Sequence, residues 1–116
     1  RDIHEYCLVF SKDSMKNSSG GKSTIEKDEF MESTLSIWNI TPEKAKKIGH
    51  PAPFPVELPK KFINLYSFKD DLILDPFIGS GTTAVASKLL KRKYVGYEIN
   101  KNYIEIANNR LKIETS

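Results

Sequence analysis

Two carboxylates flanking a glycine turn mark the part of this chain equipped for chemistry. Asp75 heads the run DPFIGSGTTA, residues 75–84, in which Gly79, Gly81 and Ala84 satisfy a G-x-G-x-x-A pattern. Glycine suits such a turn because the backbone can bend sharply and approach a ligand with no Cβ in the way. Ala84 is small enough for a helix to pack close to the strand before it. The start of that helix offers free N–H groups to a carboxylate or phosphate. Glu98 follows about 20 residues on, where an acid at a strand end accepts the hydroxyls of a ribose. A lone G-x-G would favour the plain alternative, a tight strand-to-helix turn. The second acid shifts the balance to an adenosine-containing cofactor.

Two cofactor classes compete for that pattern, a nicotinamide dinucleotide and S-adenosylmethionine. A dinucleotide loop usually reaches its first glycine through small apolar residues. Here Asp75, Pro76 and Phe77 precede it, and hydroxyls stand at Ser80, Thr82 and Thr83. An acid accepts from an ammonium and hydroxyls donate to a carboxylate, so the set suits an amino-acid moiety better than a pyrophosphate.

These residues need elements to hold them. DLILD, residues 71–75, predicts a short buried strand. Residues 81–91 predict a helix with Val85/Leu89 and Ala86/Leu90 as apolar pairs. KYVGYE, residues 93–98, predicts a second strand, and Asn100 caps a helix over 101–112 with Tyr103, Ala107 and Leu111 inward. Strand, helix, strand, helix at this spacing is a βαβ unit of a parallel, helix-covered sheet. Upstream, HPAPFP (residues 50–55) is held extended by its prolines, and Pro59 fits the first turn of a helix through Tyr66 with Leu58, Phe62 and Leu65 or Tyr66 on one face. Residues 3–11 carry apolar side chains on both pleat faces, which predicts a covered strand. Residues 12–24, rich in Ser and Gly, predict a flexible surface loop. The pattern over 25–49 is weak, with a short strand expected in TLSIWNI (34–40) and a helical turn opening at Thr41-Pro42-Glu43.

At 116 residues the chain is at most one small domain. The net charge of +3 lies wholly in residues 51–116, a balance that permits contact with a polyanion without demanding it. One cysteine, Cys7, excludes an internal disulfide and any cysteine-based zinc site, which suits a reducing cytoplasm. No apolar run approaches the roughly 20 residues of a membrane span, and no signal peptide is visible. The chain opens with Arg1 rather than Met inside an expected strand, so an upstream segment is expected.

DPFIGSGTT followed by YVGYEIN resembles the cofactor motifs of DNA amino-methyltransferases, which methylate N6 of adenine or N4 of cytosine. HPAPFPVELP looks like the segment that precedes the glycine loop in the permuted beta order of that family, and RDIHEYCLVFSK resembles the strand after its catalytic half. The resemblance covers about two-thirds of the chain. It implies an α/β fold, a partial doubly wound, Rossmann-like S-adenosylmethionine-dependent methyltransferase sheet with helices on both faces. It divides the chain into 1–49, the end of the catalytic half with part of the target-recognition region, and 50–116, the cofactor-binding βαβ region. Carried over residue by residue, Phe77, Gly79 and Gly81 shape the pocket with Pro76 and Thr83. Asp75, Ser80 and Thr82 hold the methionine end and Glu98 the ribose. His50, Pro53 and Phe54 wall the methionine side, and Asn100 and Tyr97 lie near the adenine.

The family's catalytic signature, an Asp, Asn or Ser followed by Pro-Pro and an aromatic residue, is absent, since no two prolines are adjacent. No catalytic residue is therefore assigned. The expected partners are DNA and a missing N-terminal catalytic half or partner chain, with no membrane. The leading function is the S-adenosylmethionine-binding part of a site-specific DNA methyltransferase, inactive alone. The rivals are a non-catalytic cofactor-binding subunit or remnant and a nicotinamide-binding piece of an oxidoreductase. Elsewhere the bland readings prevail: packing for Cys7, His4 and Trp38, and a solvated helix end for Lys88, Lys91, Arg92 and Lys93. Loop 12–24, with Lys12, Lys16 and Lys22, serves equally as a linker or as a phosphate contact.

Overall fold

The computed structural model describes residues 4–42, 44 and 53–116. Along them run α1 (Lys27–Ser33), α2 (Glu57–Tyr66), β1 (Leu72–Asp75), α3 (Thr82–Leu89), β2 (Lys93–Gly96) and α4 (Lys101–Glu114). The predicted strand–helix–strand–helix order is present, and β1 and β2 pair in parallel, Leu72 opposite Lys93 and Asp75 opposite Gly96. Parallel pairing places Asp75 and the residues after Gly96 at the same end of the sheet. A crossover helix must connect such strands, and α3 does so.

The core is built around α3, whose residues Thr82 to Ser87 are all buried. Its side chains are small (Thr, Thr, Ala, Val, Ala, Ser) because α2, β2 and α4 all close on it. Val85 and Ala86 are fully enclosed, with Ile63 from α2 and Ala107 from α4 against the same centre. The one interior hydroxyl of its second turn, Ser87 Oγ, donates to the Thr83 carbonyl at 2.8 Å, so burying it leaves no orphaned donor. Lys91 ends the helix in the left-handed region at φ 60.

Arg92 is buried, not solvated as its position in the Lys88–Lys93 run suggested. Its Nε donates to Ser67 Oγ at 3.0 Å, its Nη2 to the Ser67 carbonyl at 2.7 Å and its Nη1 to the Leu90 carbonyl at 2.6 Å and to Thr24 Oγ1. Donors this numerous find acceptors only where three segments meet, and that junction takes the guanidinium out of water. Beside it, Asp71 Oδ2 accepts from the Phe68 N–H at 2.8 Å, from Asn17 Nδ2 at 3.1 Å and from Ser19 Oγ at 3.4 Å. The Phe68 N–H, then Asn17, Ser19 and the charge of Arg92, hold the Asp71 carboxyl below its ordinary value against the opposing effect of burial. Residues 12–24 form no helix or strand. They are nonetheless tied down at Asn17, Ser19, Lys22 and Thr24, with the Lys69 N–H donating to the Lys22 carbonyl at 2.9 Å.

Several expectations are corrected. Residues 4–10 form no strand, and Tyr6 and Phe10 are 85% and 84% exposed. An extended segment holds its shape through a ladder partner, and the described residues contain only the β1–β2 pair. Cys7 and His4 are consequently exposed, with His4 stacking edge-on against Tyr6 at 5.2 Å. β1 lies where predicted but is not buried: Leu72 and Leu74 are each 62% exposed, so one sheet face carries no cover. TLSIWNI is not a strand. Its Trp38 instead packs edge-on against Phe62 at 4.9 Å and donates to the Ser33 carbonyl at 3.0 Å, the packing role expected of it. In α2 the buried residues are Pro59, Lys61, Ile63 and Asn64, whereas Tyr66 is exposed. The turn expected from Thr41 to Glu43 lies partly outside the described residues, as does His50. Among the described residues no helix is long and apolar enough to cross a membrane.

Candidate functional site

At the C-terminal end of the two strands the chain builds a cradle from its own hydrogen bonds. Asp75 closes β1, and its two oxygens do different work. Oδ1 accepts the Phe77 N–H at 3.0 Å, which bends the chain away from the strand, and Oδ2 accepts Thr83 Oγ1 at 2.6 Å, which ties that bend to the first turn of α3. The loop between then crosses the end of β2. The Ile78 N–H donates to the Tyr97 carbonyl at 3.1 Å and the Tyr97 N–H to the Asp75 carbonyl at 3.1 Å. Gly96 makes the crossing possible, because a Cβ there would collide with the side chain of Ile78.

Gly79 and Gly81 both lie in the left-handed region, at φ 53 and φ 84. Gly81 has a second constraint. A Cβ at that position would stand 2.7 Å from Ala107 Cβ and 3.0 Å from its Cα, so α4 packs directly on the loop backbone. The G-x-G-x-x-A spacing therefore serves conformation and packing together.

Glu98 sits two residues beyond β2, half-buried, beside the Asp75 end of the sheet. Its Oε1 accepts the Asn100 N–H at 2.8 Å, which fixes the carboxylate's direction. Asn100 in turn caps α4 as the sequence predicts, Oδ1 accepting from Asn102 at 2.9 Å and from Tyr103 at 3.4 Å. Acid, turn and cap thus form one continuous unit. Phe77 is 87% exposed at the rim, with Pro76 and Tyr97 also exposed.

Not all of the residues singled out by sequence face the same way. Asp75, Thr83, Glu98 and Asn100 are joined to the front of the cradle by the bonds just described. Ser80 and Thr82 are buried on its far side, where Arg110 Nη1 donates to the Ser80 carbonyl at 3.1 Å and to Thr82 Oγ1 at 2.9 Å. Pro53 is half-buried and Phe54 exposed on the approach to α2. Arg110 escaped the sequence reading. The one signal for it was an arginine spaced three residues from Ala107 on the inward face of α4.

With that geometry in place, comparison with known proteins identifies the class. A family model described as DNA methylase matches residues 1–109, and the chain belongs to that family. Among curated proteins it is 52% identical over 84 residues to the orphan methyltransferase M.BamHII of Bacillus amyloliquefaciens, covering 67% of this chain and 32% of that protein. Among solved structures it superposes with a TM-score of 0.69 and 33% identity on TTHA0409 of Thermus thermophilus, a candidate DNA modification methylase complexed with S-adenosyl-L-methionine, over 80% of this chain and 35% of the other. The cytosine-N4-specific PvuII DNA methyltransferase gives a TM-score of 0.57 at 29% identity, over 73% of this chain and 34% of the other. The fold is accordingly the partial, Rossmann-like α/β sheet of that class. The chain spans about a third of the length of the curated relatives it matches.

Proposed function

We propose that this chain is the S-adenosylmethionine-binding part of a DNA methyltransferase that modifies the exocyclic amine of adenine (N6) or cytosine (N4). The observation that carries this is the placement of Asp75 at the end of β1 and Glu98 two residues beyond the adjacent parallel β2, with a loop of left-handed glycines following Asp75. The donor set fits the cofactor. Asp75 offers an acceptor for an ammonium, the amides at the start of α3 offer donors for a carboxylate, and Glu98, with one oxygen held by Asn100, presents the other to ribose hydroxyls. Phe77 and Tyr97 at the rim supply apolar surface for an adenine. When bound, the cofactor supplies an electrophilic methyl group on a sulfonium. The chain's own residues bind and orient it.

The acceptor side of the reaction needs groups that polarise the amine and hold an unstacked base. No Pro-Pro-aromatic motif occurs in these 116 residues. We assign that role to a catalytic half outside them, on the same or a partner chain, and the open sheet face at Leu72 and Leu74 supports such a neighbour. With DNA as the proposed substrate, we propose that the working protein acts in the cytoplasm.

Titration calorimetry with S-adenosylmethionine, S-adenosylhomocysteine and NAD tests the cofactor. The two sulfur compounds should bind and NAD should bind more weakly. Glu98→Ala should weaken binding by about 1–3 kcal/mol, the cost of leaving hydroxyls without a charged acceptor. Tighter binding of NAD overturns the cofactor assignment, and an unchanged Glu98→Ala affinity removes Glu98 from the site.

A further inference from the structure

Arg110 is only 7% exposed, yet its Nη1 bonds leave its own helix. Nη1 reaches the Ser80 carbonyl at 3.1 Å, Ser80 Oγ at 3.4 Å and Thr82 Oγ1 at 2.9 Å. Nε and Nη2 pair with Glu114 at 2.9 and 3.3 Å, one turn along α4. The acceptors bracket Gly81, whose φ is 84. Holding the Ser80 carbonyl fixes the plane of the peptide joining Ser80 to Gly81. Holding Thr82 Oγ1 fixes the first residue of α3. Ala107, on the preceding turn of α4, fills the remaining space behind Gly81.

Stability alone is a poor reason for this arrangement. Taking a guanidinium out of water is costly, and a buried ion pair replaced as a whole by well-packed apolar residues of similar volume is often as stable or more so. What an apolar residue could not do is dictate the direction of a carbonyl. We propose that Arg110 is a positioning residue for the cofactor: it grips the glycine loop from behind and holds it in the shape that receives the methionine end, without touching the ligand. This rests on the cofactor assignment made above.

Arg110→Met keeps most of the volume and removes the donors. Calorimetric titration of the purified protein with S-adenosylhomocysteine, beside thermal melts, separates the two roles. The Ser80 carbonyl and Thr82 Oγ1 lose their donor in this variant, so the melting temperature falls in either role; a positioning role predicts in addition an affinity of the folded protein about ten-fold weaker, the lower end for a hydrogen bond to a charged group. Arg110→Lys, which keeps the charge and one donor direction, should recover part of the loss. A purely structural role predicts a lower melting temperature with the affinity of the folded protein, titrated well below that temperature, intact, and that result overturns the inference. Should Arg110→Met fail to fold, Arg110→Lys decides the matter: weakened affinity of the folded variant, titrated well below its melting temperature, supports positioning, and unchanged affinity overturns it. If the unsubstituted protein does not bind the compound, the cofactor assignment falls first and this inference with it. If it binds and the variants bind equally well, only the role of Arg110 falls.

Discussion

Adding one methyl group at Gly81 changes two things that can be costed separately. Its φ of 84 is a conformation in which an L side chain crowds its own carbonyl, at about 1–2 kcal/mol. The new Cβ would also lie 2.7 Å from Ala107 Cβ and 3.0 Å from its Cα, closer than such atoms approach. Because part of that overlap is with backbone, α4 or the loop must shift, and overpacking of this kind costs typically about 1–3 kcal/mol. Gly81→Ala should therefore lose roughly 2–5 kcal/mol, a large share of the roughly 5–15 kcal/mol that holds an ordinary domain folded. Urea unfolding followed by circular dichroism reads this as a lower midpoint at constant slope. Ala107→Gly supplies the partner measurement. Alone it costs up to about 1 kcal/mol, as glycine in a helix interior. Combined with Gly81→Ala it removes the Cβ–Cβ overlap but not the backbone strain, so the double variant should be more stable than the summed losses predict by about 1 kcal/mol or more. A Gly81→Ala loss below about 1 kcal/mol, or strict additivity of the pair, would refute the packing account.

Two further outcomes follow from the site and its surroundings. The purified 116-residue chain should transfer no radiolabelled methyl group to mixed-sequence duplex DNA, because it carries no Pro-Pro-aromatic motif to capture the base; robust incorporation, once contaminating methylases are excluded, places an active site within it after all. Asp71 should give the protein an acid-sensitive component of stability. Its folded pKa is depressed, so the contribution is whole above the ordinary value of 3.8 and disappears as pH falls through the folded value. Asp71→Asn should flatten that limb in urea midpoints measured from about pH 2 to 6, and an unaltered limb counts against the loop anchorage at Asn17 and Ser19.

What could be read from sequence was local. The glycine spacing, the proline in the first turn of α2 and the cap at Asn100 each specify backbone shape within a few residues, and each lies where expected. What escaped depends on partners distant in sequence. The apolar run from Tyr6 to Phe10 shows an appetite for neighbours but not whether any are present. α1 was missed because its short, polar sequence has little periodicity; Asn64 Nδ2, donating to Glu29 Oε1 at 2.7 Å, helps hold it against α2. Arg92 read as an ordinary helix-end charge and Arg110 drew no reading at all, and only tertiary structure supplies the carbonyls and hydroxyls that justify burying them. Within the site, the sequence marked Ser80 and Thr82 as holders of the methionine end and offered no sign that Arg110 engages the Ser80 carbonyl and Thr82 Oγ1.

The crossing of Ile78 over Gly96 bears on the kinetics of ligand capture. Because the loop after β1 is bonded to the residue after β2, the two carboxylates ride on one connected body. Their separation should fluctuate little, and an arriving ligand has little ordering left to impose. Encounter then requires no rearrangement, so association should proceed at similar speed in variants that alter single contacts. Their differences in affinity should appear as differences in residence time.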